Sequence, residues 1–150
     1  MEQQRKIVPP IYFLCALILM VALHRFLPVT RLIAPPFTYA GVLLVMLGLG
    51  MALVAARAFN VAGTPVVPFV ESKVLVTGGL YRITRNPMYL GLVLVLLGVW
   101  VLFGTLSPVV PIPIFALIID RNFVHGEERF LEEIFGEPYR EYRRRVRRWL

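Results

Sequence analysis

The stretch GLYRITRNPMYLGLVLVLLGVW, residues 79–100, opens polar and basic and then turns into a long apolar run. Asn86 is a preferred N-cap residue and Pro87 suits the first helical position, since a helix start leaves amides unpaired. A helix therefore begins at Pro87, and its apolar length through Phe103 (residues 87–103) is enough to cross a bilayer core, which takes ~17–25 helical residues. A helix start carries roughly half a positive charge and free N–H groups, which makes it a natural anion site. Arg85 stands beside it and Arg82 one turn back. The cap accounts for Asn-Pro. It leaves the two arginines and the two tyrosines, Tyr81 and Tyr89, to be explained by something else.

The rest of the chain places this segment in a membrane protein. Of 150 residues 58% are hydrophobic, with a mean hydropathy of +0.73, against roughly 45–50% apolar in a soluble domain. The net charge of +7 would fit nucleic acid in a soluble chain. Here the basic residues crowd the ends of apolar runs, which suits anionic headgroups and topology control and excludes a nucleic-acid partner. The single Cys15 allows no intrachain disulfide, and His24 and His125 stand apart, without metal-ligand spacing. No small-x-small cleavage site precedes Arg25, so a cleaved signal peptide is not expected.

These features predict an all-α integral membrane protein of one domain, residues 1–150, with four spans at residues 11–27, 37–59, 87–103 and 106–119. The fourth is short and carries Pro108, Pro111 and Pro113. It is expected to pair with the third as a tight hairpin. Glycines 41, 48 and 50 in the second span, and 91 and 98 in the third, would allow close helix approach. Residues 60–86 carry Lys73, Arg82 and Arg85 and residues 120–150 carry eight arginines, whereas the 104–108 turn has no basic residue. Both termini are therefore expected on the cytoplasmic side, in the cytoplasmic membrane.

The C-terminal segment DRNFVHGEERFLEEIFGEPYREYRRRVRRWL, residues 120–150, holds the second clue. On a helical wheel of residues 122–135, Phe123, Val124, Phe130, Leu131, Ile134 and Phe135 share one arc, while Arg129, Glu132 and Glu133 face away. Glu127 falls inside the apolar arc and Glu128 at its edge. A buried carboxylate without a partner costs several kcal/mol or protonates, so Glu127 is expected to meet Arg82, Arg85 or a bound cation. Gly136 would cap this helix and Pro138 open a last one. There Tyr139, Tyr142, Val146 and Trp149 form one face against six arginines, the pattern of an amphipathic helix lying on anionic lipid.

Taken together, LVTGGLYRITRNPMYLG (75–91) and GEERFLEEIFGEPYREYRRRVRRWL (126–150) resemble the isoprenylcysteine carboxyl methyltransferase and phospholipid N-methyltransferase family of integral membrane enzymes. The shared elements are Gly-Leu-Tyr, Arg-x-Pro-x-Tyr-x-Gly, the Glu pair, Phe-Gly-x-x-Tyr-x-x-Tyr and a terminal Arg-Trp. The resemblance implies S-adenosylmethionine (SAM) as methyl donor, held between the cytosolic end of the bundle and the C-terminal segment. Leu75, Val76, Tyr81, Asn86, Pro87, Met88, Tyr89 and Glu127 match cofactor-contacting positions. Glu128 would help answer the cofactor's positive charge, and Arg85 its carboxylate. Many members have His where this chain has Asn86. Where the prenylcysteine enzymes carry an arginine that contacts the substrate carboxylate, this chain has Phe123, and the nearest arginine is Arg121, which becomes the candidate substrate contact.

The implied acceptor is a small or lipophilic thiol, amine or carboxylate reaching the site through the bilayer, with no obligate protein partner. No acid–base dyad is assigned, because the sulfonium already makes the methyl group electrophilic. Two other readings of the same sequence are a four-helix transporter and a non-catalytic scaffold on the same fold. The first lacks an ionisable residue in the interior of spans two, three and four, where such proteins place one.

Overall fold

The computed structural model describes residues 9–63 and 74–150. Residues 1–8 and 64–73, including Lys73 of the topology argument, lie outside the described residues. Helix α1 is Pro9–Phe26, α2 is Ala40–Val61 with a 3₁₀ turn Phe37–Tyr39 ahead of it, and α3 is Pro87–Phe103. Helix α4, Pro111–Ile119, follows a 3₁₀ turn Ser107–Val109; α5 is His125–Phe135 and α6 is Glu137–Arg145. Among the described residues there is no strand beyond two isolated bridges. The expected all-α architecture with membrane-capable apolar helices stands, and helix α3 covers the residues expected for the third span.

Helices α2 and α3 approach closely because both carry glycines seven residues apart on the facing side. A β-carbon on Gly48 would come within 2.5 Å of the Gly91 carbonyl oxygen, and one on Gly91 within 2.6 Å of that of Gly48. Gly41 and Gly98 repeat the contact two turns away. Backbone cannot retreat as a flexible side chain can, so Gly91→Val must separate the helices. Overpacking of this kind typically costs about 1–3 kcal/mol. The variant should melt well below the parent in detergent, whereas Gly50→Val, at a position with open space around it, should melt with it. The outward face of α2 leaves Leu43, Leu47 and Leu53 exposed, an apolar belt that hydrocarbon covers and water would not tolerate.

At the end of the bundle where α3 finishes, Gly104 adopts a left-handed conformation (φ 67°) and its N–H closes on the Trp100 carbonyl at 3.0 Å. Its own carbonyl accepts from Leu32 (2.8 Å) and Ile33 (3.1 Å), so the 27–36 loop is tied across the α3–α4 turn. The His24 ring stacks on Phe103 at 4.4 Å and meets the Thr105 hydroxyl at 2.9 Å. Ser107 donates to the Leu27 carbonyl. The polar atoms of this turn thereby find partners within the protein, as a bilayer setting requires.

The fourth span departs from the sequence reading. It does not stop at residue 119: helical structure runs from Ser107 to Phe135 over 29 residues. A π-helical turn, Asp120–Val124, joins α4 to α5. The span is therefore not marginal in length. The wider turn, of a kind frequent at functional sites, rotates the face that α5 presents relative to α4. The last helix also differs from expectation. Tyr139 (1% exposed), Tyr142 and Val146 do not face lipid but pack with Ala55 and Tyr81 in a core of their own, flanked by Phe59, Leu75, Val76 and Met88. An amphipathic pattern requires its apolar face to be covered. Here the bundle covers it, and α6 closes over the end of α2 and the start of α3.

Candidate functional site

The site forms where the start of α3 meets the return of the chain from α6. A 3₁₀ turn, Gly79–Arg82, leads into residues 83–86, and Gly79 takes the positive φ (59°) that this turn needs. The residues that follow pair with the C-terminal segment. Arg85 N–H donates to the Arg147 carbonyl (2.9 Å), and the Thr84 hydroxyl to that of Arg148 (2.9 Å). The Asn86 side-chain amide donates to the same Arg148 carbonyl at 3.0 Å. Asn86 does occupy the position before Pro87, and its carbonyl accepts the Leu90 N–H at 3.0 Å. Its side chain, however, caps nothing: it holds the C-terminal strand of chain in place.

Two neighbouring glutamates of α5 divide the charges of the site between them. Glu128 is buried and accepts two hydrogen bonds from Arg148, Nε to Oε1 at 3.0 Å and Nη2 to Oε2 at 2.7 Å. Arg85 Nη2 lies 3.2 Å from Glu128 Oε1, with both side chains 9% exposed. Glu127 has a different partner. Its Oε1 accepts the Tyr89 hydroxyl at 2.6 Å, a short charge-assisted bond. Among the described residues no cationic side chain pairs with Glu127. The expected Arg82 or Arg85 partner is replaced by a phenol because Glu128, one residue on, faces the arginine and Arg82 is exposed. Glu127 is thus a half-buried carboxyl group that no cationic side chain answers among the described residues.

Aromatic rings line the same region. Tyr81 meets Phe59 edge to face at 5.4 Å, and its backbone carbonyl accepts the Tyr142 hydroxyl at 2.7 Å. Burial raises the phenols of Tyr81, Tyr139 and Tyr142, that of Tyr139 to about 12. Glu127 adds to the shift of Tyr81, and Glu128 to that of Tyr139, whereas Arg85 opposes the latter. All three stay neutral near pH 7. Arg85 itself has Nε and Nη1 buried with no hydrogen-bond partner among the described residues. The site therefore offers an acid without a cationic partner among tyrosines on one side and buried, unpartnered guanidinium donors on the other.

Of the residues singled out from sequence, Tyr81, Arg85, Asn86, Pro87, Tyr89 and Glu128 are buried or nearly so around this point, and Glu127 is joined to Tyr89. Leu75, Val76 and Met88 pack against the Tyr81 core. Arg121 lies apart: it is exposed on the π turn, while Phe123 is buried against Tyr12, ring centroids 5.6 Å apart. Arg148, Thr84 and Asp120 escaped the sequence reading. Trp149 donates its indole N–H to Asp120 (3.0 Å), which anchors the end of the segment that Arg148 belongs to. The terminal Arg-Trp was visible as a shared element, but nothing in its spacing reveals that its partners lie on α5 and the π turn.

Comparison with known proteins agrees with the fold. A sequence model of the family described as phospholipid methyltransferase matches residues 37–138, more than half of the chain. Over 63 residues the chain is 41% identical to an uncharacterized protein of Haemophilus influenzae, covering 42% of this chain and 100% of that one. Over 79 residues it is 34% identical to the protein-S-isoprenylcysteine O-methyltransferase of Schizosaccharomyces pombe, covering 51% of this chain and 32% of the yeast protein. Among solved structures, the eukaryotic intramembrane Ras methyltransferase, isoprenylcysteine carboxyl methyltransferase, superposes with a TM-score of 0.68 at 20% identity. That match covers 100% of this chain and 53% of the solved one, and at such identity it is a likeness of fold. The chain therefore spans about a third to a half of the named enzymes it matches. It is an integral membrane protein, and it belongs to the phospholipid methyltransferase family.

Proposed function

We propose that the protein is a SAM-dependent methyltransferase whose cofactor lies between the start of α3 and the C-terminal segment, and whose acceptor is a lipophilic thiol or amine. The observation that carries this reading is Glu127: a desolvated carboxylate answered by the Tyr89 hydroxyl and by no cation among the described residues. A site of this kind favours a ligand that brings positive charge, and tyrosine faces favour sulfonium or ammonium groups. The residues present fit a zwitterionic amino-acid ligand as well. Glu127 suits the cationic end, and the unpartnered Nε and Nη1 of Arg85 suit a carboxylate. Leu75, Val76, Met88 and Pro87 supply apolar walls, and Asn86 and Thr84 hold the segment that closes them.

When bound, the cofactor would supply an electrophilic methyl group. The protein's part is to bind, to orient and to exclude water. Burial of Tyr81 against the inner face of α6, which carries Tyr139 and Tyr142, dries the site and keeps the three hydroxyls protonated, so they act as donors and not as bases. Glu127 holds no proton relay among the described residues beyond Tyr89, so a thiol or ammonium acceptor gives up its proton to solvent before transfer, and the protein's part is alignment. With Phe123 buried against Tyr12 and Arg121 turned to the exterior, no guanidinium on the π turn is placed to pair with an acceptor carboxylate inside. Purified protein given methyl-labelled SAM should therefore label a phospholipid amine or an alkyl thiol faster than a prenylcysteine carboxylate. Transfer to the prenylcysteine alone would contradict this choice of acceptor.

The arginine distribution supports a site on the cytoplasmic side, with the 104–108 turn on the opposite face. Thr105 is buried by its contacts to His24 and Trp100, so Leu106, which is exposed, is the better reporter. In a Cys15→Ser background, Leu106→Cys should react with a membrane-impermeant maleimide from outside the cell only. Reaction confined to the cytoplasmic side would reverse the orientation.

A further inference from the structure

Two guanidinium groups compete for one carboxylate at this site, and the competition is unequal. Arg148 binds Glu128 through two parallel bonds of 3.0 and 2.7 Å, the geometry that matches a guanidinium fork to a carboxylate. It is also fixed from behind. Thr84 and Asn86 both hold its carbonyl, and its Nη1 lies 3.3 Å from His125 Nε2 and 3.6 Å from Asp120 Oδ1. Arg85 has a single contact to Glu128, Nη2 at 3.2 Å. Its Nε and Nη1 are buried and without a hydrogen-bond partner among the described residues, and the same guanidinium lies within hydrogen-bonding reach of the Tyr139 phenol, whose upward shift it opposes. Buried donors are rarely left open, and the few that are call for an explanation.

We infer that Arg148 is a positioning residue: by occupying Glu128 with its fork it prevents Arg85 from doing so, and thereby reserves two Arg85 donors for the carboxylate of the ligand. This rests on the cofactor reading above and assigns to the C-terminal segment a role in ligand recognition besides closing the site. Without Arg148, both oxygens of Glu128 are released, and Arg85 is the guanidinium already in contact with one of them. Pairing through its own fork then consumes the donors that would otherwise face the ligand. The inference concerns the carboxylate end of the ligand alone, since Glu127 and Tyr89 serve the cationic end.

The test compares two ligands that differ only in that carboxylate, SAM and decarboxylated SAM, by calorimetric titration of the purified full chain. The parent protein should prefer SAM by about tenfold or more, as expected for a charge-assisted contact. In Arg148→Gln the preference should fall to about one, with the affinity for decarboxylated SAM kept. In the Glu128→Gln/Arg148→Gln double variant the preference should return, because nothing then draws Arg85 away. Equal losses for both ligands in Arg148→Gln would reduce Arg148 to a structural tie and overturn the inference. So would an Arg148→Gln protein that keeps the parent's preference, or a parent that has none. A parent that binds neither ligand would refute the cofactor reading itself. Because each comparison is a ratio measured on one protein sample, a partly unfolded variant does not blur it.

Discussion

Glu127→Gln is expected to weaken SAM binding by about 1.5–3 kcal/mol, roughly ten- to a hundredfold, the loss typical of a hydrogen bond or contact to a charged group. The amide keeps the shape of the side chain and can still accept from Tyr89. What disappears is the negative charge, which no cationic side chain answers among the described residues. Glu132→Gln and Glu133→Gln provide the comparison on the same helix. Glu133 is exposed, and Glu132 pairs at the surface with Arg140 (3.1 Å) and Arg143 (3.2 Å). Surface pairs of this type contribute about 0–1 kcal/mol. Titration of the three variants with SAM should therefore separate Glu127 clearly from the other two. Three equal responses would mean that net charge, and not the placement of Glu127, governs binding.

Glu128→Leu should act on stability first. It leaves Arg85 and Arg148 buried or half-buried without the carboxylate that both contact, and removal of one member of a buried ion pair costs about 3–5 kcal/mol. The loss should appear as a large fall in the thermal midpoint and as release of the C-terminal segment, seen as protease cleavage within α6. Arg148→Gln should cost less, because Arg85 remains to pair with Glu128. If Glu128→Leu melts with the parent protein, the buried triad is not what fastens the segment.

Much of the architecture is legible in the sequence because hydrophobic runs and caps are local signals. Pro87 marks the start of the third span, and the spacing of Gly41 and Gly48 in α2 and of Gly91 and Gly98 in α3 foretells their close contact. The π turn at Asp120–Val124 is not legible: no proline or glycine marks it, and without it the fourth span reads as short. The face of α6 shows the limit of periodicity. Tyr139, Tyr142 and Val146 announce an apolar face, but whether lipid or protein covers it depends on the 75–88 segment, which lies far away in sequence.

The candidate site divides in the same way. Glu127 stands out on a helical wheel because a carboxylate in an apolar arc violates the pattern around it. Its partner does not follow from the wheel. Two adjacent glutamates lie about 100° apart on a helix, and which of them meets Arg85 is decided by how α5 docks. Arg148 illustrates the remaining gap. In sequence it is one arginine among six in a basic tail, and its importance comes from Thr84 and Asn86, more than sixty residues earlier, holding its backbone.

Binding of SAM between the start of α3 and the C-terminal segment is tested most directly by isothermal titration of the purified, folded protein with SAM. The account predicts saturable binding of one ligand with a dissociation constant in the micromolar range, roughly −7 to −9 kcal/mol, accompanied by a rise in thermal midpoint. Folded protein that shows neither heat of binding nor a thermal shift at millimolar SAM would contradict it.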